Sequence, residues 1–299
     1  FVNSMLKKYS LDEYVQMLNI SNPNENEFNN IVNEFSYFKT NTGTGKLSNY
    51  NFERGLLVYL LVGKLKPKNI LEVGTGSGFS TLCMAMAMTD FELDGKIYTI
   101  DYLPHDEKTT QHYKKSEKSL ERFASRAEIW NLQNKPKWIE KIEILTGYTS
   151  ESFHKHELPL FDFCYIDGGH YYSAVKNDFF TALLGSNDNC VFLLDDYIDK
   201  PEFDVKNFVD NEIATKFNVD LIDTDKSRNI DEQVWVTKND YGMCFIRGKK
   251  DELIEHFGRK EIERYVDNHR KFEKRLKLRN DLNKKIPFMK NIRFSKFLK

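Results

Sequence analysis

The chain has 299 residues, of which 40% are hydrophobic and 14% aromatic, and its formal net charge is −1. This is enough apolar material for a substantial core, in two domains or in one α/β domain with appendages. Near-neutral charge argues against a general nucleic-acid binder, which is usually strongly basic. No run of about 18 apolar residues is present to span a membrane, and no signal peptide is visible. Cys83, Cys164, Cys190 and Cys244 stand far apart in apolar segments without C-x-x-C spacing, so a reduced, cytoplasmic protein is expected.

Ser10 to Leu18 is expected to form a capped helix, because Ser10 and Glu13 make an S-x-x-E box and Leu11, Tyr14, Val15 and Leu18 share a face. A second helix is expected from about Asn24 to Phe38, with Phe28, Ile31, Val32 and Phe35 at helical spacing. Residues 41–48 fail the phosphate-loop pattern, since Thr40 and Leu47 stand where Gly and Ser or Thr are required. They are read as a flexible loop and a candidate lid. Residues 1–48 thus form an N-terminal helical segment with a lid, and an apolar helix over residues 51–65 leads into the main domain, 49–248.

That domain alternates strand and helix. Ile70 to Val73 reads as a buried strand, followed by Gly74, Gly76 and Gly78 and a helix over Phe79 to Met88. Lys96 to Ile100 is a strand ending at Asp101, and a helix is expected from about Thr110 to Leu132. Residues 142–146 are a strand ending in Gly147-Tyr148-Thr149, with a short helix over about 150–156. Leu160 to Ile166 is a strand ending at Asp167, followed by a helix over Tyr172 to Leu184. Cys190 to Leu194 is a strand ending at Asp195-Asp196, and Pro201 to Phe217 reads as helical. Segments 219–222, 234–237 and 243–247 are candidates for the remaining strands. This rhythm implies right-handed βαβ units and a mostly parallel sheet, with ligands beyond the carboxyl ends of the strands. From Lys249 onward basic residues outnumber acidic ones about two to one, with apolar residues at helical spacing. This basic extension, 249–299, is read as one or two amphipathic helices packing on the domain or on a partner subunit, which leaves a homo-oligomer open. A peripheral membrane contact is the alternative.

Two sets of residues carry chemistry. The glycine turn lets backbone N–H groups approach a ligand closely, and Asp101, at the tip of the second strand, sits where a ribose diol needs an acceptor. Glycine spacing of G-x-G-x-G rather than G-x-G-x-x-G disfavours a nicotinamide dinucleotide. The second set is Asp167, Asp195 and Asp196, placed side by side by adjacent parallel strands. Carboxylates so grouped repel unless protonated or bridged by a cation, and oxygen-only ligands select Mg²⁺, Mn²⁺ or Ca²⁺. The competing reading makes them helix N-caps.

Glu72-Val-Gly-Thr-Gly-Ser-Gly78 resembles motif I of the class I S-adenosylmethionine (SAM) methyltransferases. The order of this turn, Asp101, Gly147-Tyr148-Thr149, Asp167-Gly-Gly-His170 and Asp195-Asp196-Tyr197 is similar to the metal-dependent O-methyltransferases, including the catechol and macrolide-sugar enzymes. The D-G-G-H and D-D-Y forms look most like the bacterial methyltransferase-24 branch. The resemblance covers about residues 50–247. It implies a Rossmann-like, doubly wound, mostly parallel seven-stranded sheet, SAM as cofactor, and a hydroxyl on a sugar, glycan or secondary metabolite as acceptor. It places Glu72, Gly74 and Gly76 at the methionine end, Asp101 on the ribose, and Tyr148 and Thr149 near the adenine, with Thr75 and Ser80 also among the cofactor-binding residues. Asp167 then borders both the cofactor and Mg²⁺ (or Mn²⁺ or Ca²⁺), with Asp195 and Asp196 as the other ligands. His170 falls where the catechol enzyme has its lysine base. It is a base, a fourth ligand or a structural residue on this reading, and a metal-independent methyltransferase and a non-catalytic SAM-binding subunit remain the rivals.

Overall fold

The structure, a computed structural model, describes residues 5–36, 38–40, 47–49, 51–116, 118–224 and 241–285. The chain opens with strand β1 (Leu6–Ser10), then helices α1 (Leu11–Leu18) and α2 (Glu25–Phe35) and the hairpin β2 (Phe38–Thr40) and β3 (Leu47–Asn49). Helix α3 (Phe52–Leu65) leads to β4 (Asn69–Val73), α4 (Phe79–Asp90) and β5 (Lys96–Asp101). A second hairpin, β6 (Thr109–Lys115) and β7 (Lys118–Ala124), precedes α5 (Arg126–Asn131), α6 (Pro136–Ile139), β8 (Ile142–Thr146) and α7 (Thr149–Lys155). Next come β9 (Phe161–Ile166), α8 (Tyr172–Gly185), β10 (Ser186–Tyr197) and α9 (Val205–Phe208), the last running into a π-helical turn, Val209–Ile213. Strands β11 (Asn218–Asp223) and β12 (Gly242–Arg247) and helices α10 (Lys250–Phe257) and α11 (Arg259–Lys285) complete the described chain.

The main sheet runs β1-β11-β12-β10-β9-β4-β5-β8. All pairings are parallel except those of β12, which is antiparallel to both β10 and β11. The expected Rossmann-like, mostly parallel fold is therefore present. The sheet has eight described strands rather than seven, because β1 adds to its edge beside β11. The N-terminal segment is consequently not purely helical, and a five-residue strand had no signal strong enough to separate it from the helix it precedes. Segments 41–46, 225–240 and 286–299, which hold the lid, the candidate strand 234–237 and the chain end, lie outside the described residues.

Local chemistry explains most elements. Strand β4 pairs on both sides, and Ile70, Leu71 and Val73 are buried, as a continuous apolar run in a parallel sheet should be. The Ser10–Glu13 capping box is formed in both directions at α1. One cluster of buried side chains lies under α1–α4 and a second under α8, α9 and α10, one on each face of the sheet. All four cysteines are buried and unpaired. No described helix is long and apolar enough to cross a membrane.

The expected helix over about 110–132 is a correction. Its first half is the β6–β7 hairpin, turned at Ser116 with φ of 53°. Only α5, opened by a reciprocal Ser125–Glu128 capping box, is helical. The hairpin docks through Arg122, whose guanidinium lies over Tyr113 and donates to Glu34 of α2. The helix over Pro201 to Phe217 likewise shortens to α9 and its π turn.

Candidate functional site

From β4 the chain steps to β5 and β8 on one side, and it returns to β9 and β10 on the other. The carboxyl ends of β4 and β9 therefore bound the crevice where such sheets hold ligands. A cavity of about 620 Å³ opens there, within the range of small-molecule sites. Gly74 and Gly76 from the turn, Asp101 and Tyr102 after β5, Tyr148 and Thr149 after β8, and Asp167 to Gly169 after β9 line it. Its outer wall comes from α11.

The turn is held from behind. Glu72 is fully buried and accepts hydrogen bonds from Ser80 Oγ (2.6 Å), Thr99 Oγ1 (2.6 Å) and Thr81. Burial pushes its carboxyl up to about 7, while the three hydroxyls pull it back. Thr75 Oγ1 shares a 2.6 Å hydrogen bond with Thr99 Oγ1. Glu72, Thr75 and Ser80 thus brace the turn and do not line the cavity, in contrast to the expected cofactor contacts. Gly74, Gly76, Asp101, Tyr148, Thr149 and Asp167 do line it.

Helix α5 supplies a grip that sequence reasoning missed. Arg126, almost fully buried, donates from Nη1 to Asp101 Oδ2 (2.8 Å) and to the Gly76 carbonyl (3.0 Å). One turn on, Trp130 Nε1 donates to the Ser77 carbonyl (2.9 Å). Asp101 also accepts from the Gly76 and Leu103 N–H groups (2.9 and 2.8 Å), so its position is fixed from three directions. The Ser125-x-x-Glu128 box was the available signal that a new helix begins here.

The acids do converge. Tyr165 donates its hydroxyl to Asp195 Oδ2 (2.8 Å) and lies 3.3 Å from Asp167 Oδ2. Arg54 of α3, also unforeseen, forms ion pairs with Asp195 (Nε, 3.2 Å) and Asp196 (Nη2, 3.2 Å). The ring of His170 pairs through Nδ1 with Asp196 Oδ2 at 2.9 Å. Burial, reinforced by the neighbouring aspartates, holds the Asp167 carboxyl well above the usual range. Burial pushes Asp195 up to about 6 against the pull of Arg54. The Asp196 hydrogen bond raises His170.

This arrangement does not fit a hydrated divalent ion. A guanidinium already makes ion pairs with two of the three carboxylates, and the recess bounded by the three acids and His170 holds only about 10 Å³, at most one water. Mg²⁺ keeps several waters. Among the described residues no group of three or more His, Cys, Asp or Glu side chains is arranged to hold a metal. The N-cap reading fares no better for Asp195 and Asp196, which lie within β10.

Residues 71–197 match the family model described as a methyltransferase domain. The matched stretch runs from the glycine turn to the paired aspartates. Over that stretch the chain is similar to a methyltransferase domain. Solved structures similar to this chain include the O-methyltransferase from Bacillus cereus in complex with S-adenosylhomocysteine (SAH). It is 17% identical over 80% of this chain and 97% of that one, with a TM-score of 0.46. The O-methyltransferase TomG from Streptomyces achromogenes, in complex with SAM, is 15% identical over 78% and 95% of the two chains, with a TM-score of 0.42. Cofactor-bound Rv0187 from MTB is 16% identical over 65% and 78%, with a TM-score of 0.44. No curated protein matches the sequence.

Proposed function

We propose that this chain is an S-adenosylmethionine-dependent methyltransferase that transfers the methyl group to a hydroxyl of a small molecule, with a sugar, glycan or secondary metabolite as the acceptor class. The observation that carries this reading is the His170–Asp196 pair set beside Asp167, an acid that lines both the donor cavity and the acid recess. SAM, when bound, supplies a methyl group already activated by its sulfonium. An alcohol is a poor nucleophile near neutral pH, so the chain's task is alignment and deprotonation. Asp196 holds the His170 ring through Nδ1, which leaves Nε2 to take the proton of the acceptor hydroxyl. Gly74 and Gly76 admit the donor close to the backbone, and Asp101, fixed by Arg126, receives the ribose hydroxyls. The resemblance implies Mg²⁺, or Mn²⁺ or Ca²⁺, at Asp167, Asp195 and Asp196. Arg54 favours the metal-independent variant of the reaction, because its guanidinium already occupies the Asp195 and Asp196 oxygens with which a metal would compete.

Calorimetry with SAH and with NAD tests the donor, and SAH alone is expected to bind. Methyl transfer from radiolabelled SAM to a panel of sugars and catechols then tests the chemistry. His170→Ala should lower turnover by about 10²–10⁴-fold while SAH affinity is retained. Binding of NAD but not SAH, or full turnover in the His170 variant, would overturn the proposal.

A further inference from the structure

Helix α11 lies beyond the matched methyltransferase segment and beyond the stretch that the sequence resemblance covers. Its sequence is dominated by charged residues, yet Glu273 is buried to within 3% exposure. That carboxylate accepts from Ser150 Oγ (2.6 Å), the Glu151 N–H (3.0 Å) and Asn177 Nδ2 (3.1 Å). Two of these donors belong to the first turn of α7, where the helix dipole favours negative charge. Glu273 therefore pins α11 at the point where Tyr148 and Thr149 enter the cavity.

His269, Phe272 and Leu276 line the same cavity. Their spacing, with Glu273 between, places them on one face of the helix. Phe272 remains 38% exposed, so part of its ring faces open space. Gly168 and Gly169 line the same cavity and offer backbone without side chain. An apolar helix face together with bare backbone suits a flat heteroaromatic base, which gains from stacking on an aromatic ring.

We infer that α11 is the outer wall of the donor pocket, with Phe272 and Leu276 covering the adenine end of the bound nucleoside. This rests on the donor-pocket reading above. The coupling is reciprocal, so a bound donor must hold the helix down as firmly as the helix holds the donor.

Titration calorimetry with SAH and with 5′-methylthioadenosine, on the wild type and on Phe272→Ala, Leu276→Ala and Leu278→Ala, tests this. Leu278 is on the same helix, 63% exposed, and outside the cavity. Phe272→Ala should weaken both ligands by a similar factor of about ten, with a smaller loss at Leu276 and none at Leu278. In hydrogen exchange on the wild type, SAH should slow residues 259–285. If Phe272→Ala unfolds, Phe272→Leu keeps the apolar cover without the aromatic face and should still lose affinity. Wild-type SAH binding with unchanged affinity in the folded variants and unaltered exchange in α11 would overturn the inference alone. A wild type that does not bind SAH would overturn the donor-pocket reading beneath it.

Discussion

Alanine at Gly74 should be far more damaging than alanine at Gly76, two residues away in the same turn. Gly74 has φ of 92°, and a Cβ there would lie 1.9 Å from the Asp167 backbone oxygen and 2.6 Å from its carbonyl carbon. Both strands are pinned at this point, because Gly74 N donates to Ile100 O (2.9 Å) and Asp167 N donates to Val73 O (2.8 Å). Relief requires β4 and β9 to part at the crevice. A left-handed alanine costs about 1–2 kcal/mol, overpacking against backbone about 1–3, and a lost ladder hydrogen bond about 1. Together these suggest about 3–6 kcal/mol for Gly74→Ala. Gly76, with φ of 55° and nothing within 4 Å of an added Cβ, should incur only the first term. At roughly 2–3 °C per kcal/mol for a chain of this size, Gly74→Ala should melt about 10 °C below the wild type and Gly76→Ala about 3 °C below. Thermal unfolding followed by circular dichroism measures both. Equal melting temperatures for the two variants would refute the close β4–β9 approach on which the crevice depends.

Buried carboxyls set the pH dependence of stability. Burial pushes Asp178 up to about 7, and Thr149 and His269 oppose it while Glu273 adds to it. A carboxyl raised in the folded state binds protons more tightly there, so stability is present at low pH and is lost as pH rises from about 4 to about 7. Asp178→Asn should flatten that fall in urea titrations at several pH values, by up to about 1 kcal/mol per pH unit. Glu72 and Asp195 contribute with the same sign. Arg54→Met should leave Asp195 and Asp196 without their cation, lowering stability by about 3–5 kcal/mol and admitting Mn²⁺ that the wild type does not take up. Mn²⁺ paramagnetic resonance reads the difference, and a stoichiometric site in the wild type that Asp195→Asn removes would restore the metal mechanism. Arg126→Ala should weaken SAH binding about tenfold even though Arg126 does not line the cavity, because Asp101 loses its charged anchor. Unchanged affinity would show that the Gly76 and Leu103 N–H groups suffice to hold Asp101.

Much of the candidate site was legible because its signals are local. An apolar run between Pro67 and Gly74 can only be a buried strand in an alternating chain, and glycines spaced by single residues dictate the turn that follows. Acids that end strands of one parallel sheet fall on one sheet edge by topology alone, which is why spacing is enough to place Asp101, Asp167, Asp195 and Asp196 at that edge. The hairpin was lost for the opposite reason. Its residues alternate in burial, but the many lysines and glutamates around Ser116 blur a period of two into one compatible with a helix. That Glu72 and Ser80 point behind the turn reflects side-chain direction, which spacing does not specify.

The amino-acid order by itself determined the strand–turn–helix nucleus, the direction of the sheet and the edge at which its acids gather, since each follows from backbone preference and hydrophobic period within a few residues. Tertiary structure alone decided what those acids meet. Arg54 reaches Asp196 across 142 positions, Arg126 reaches Gly76 across 50, and Glu273 reaches Ser150 across 123. Ion pairing in a buried cleft depends on which charges desolvate together, and that is settled only when distant segments pack.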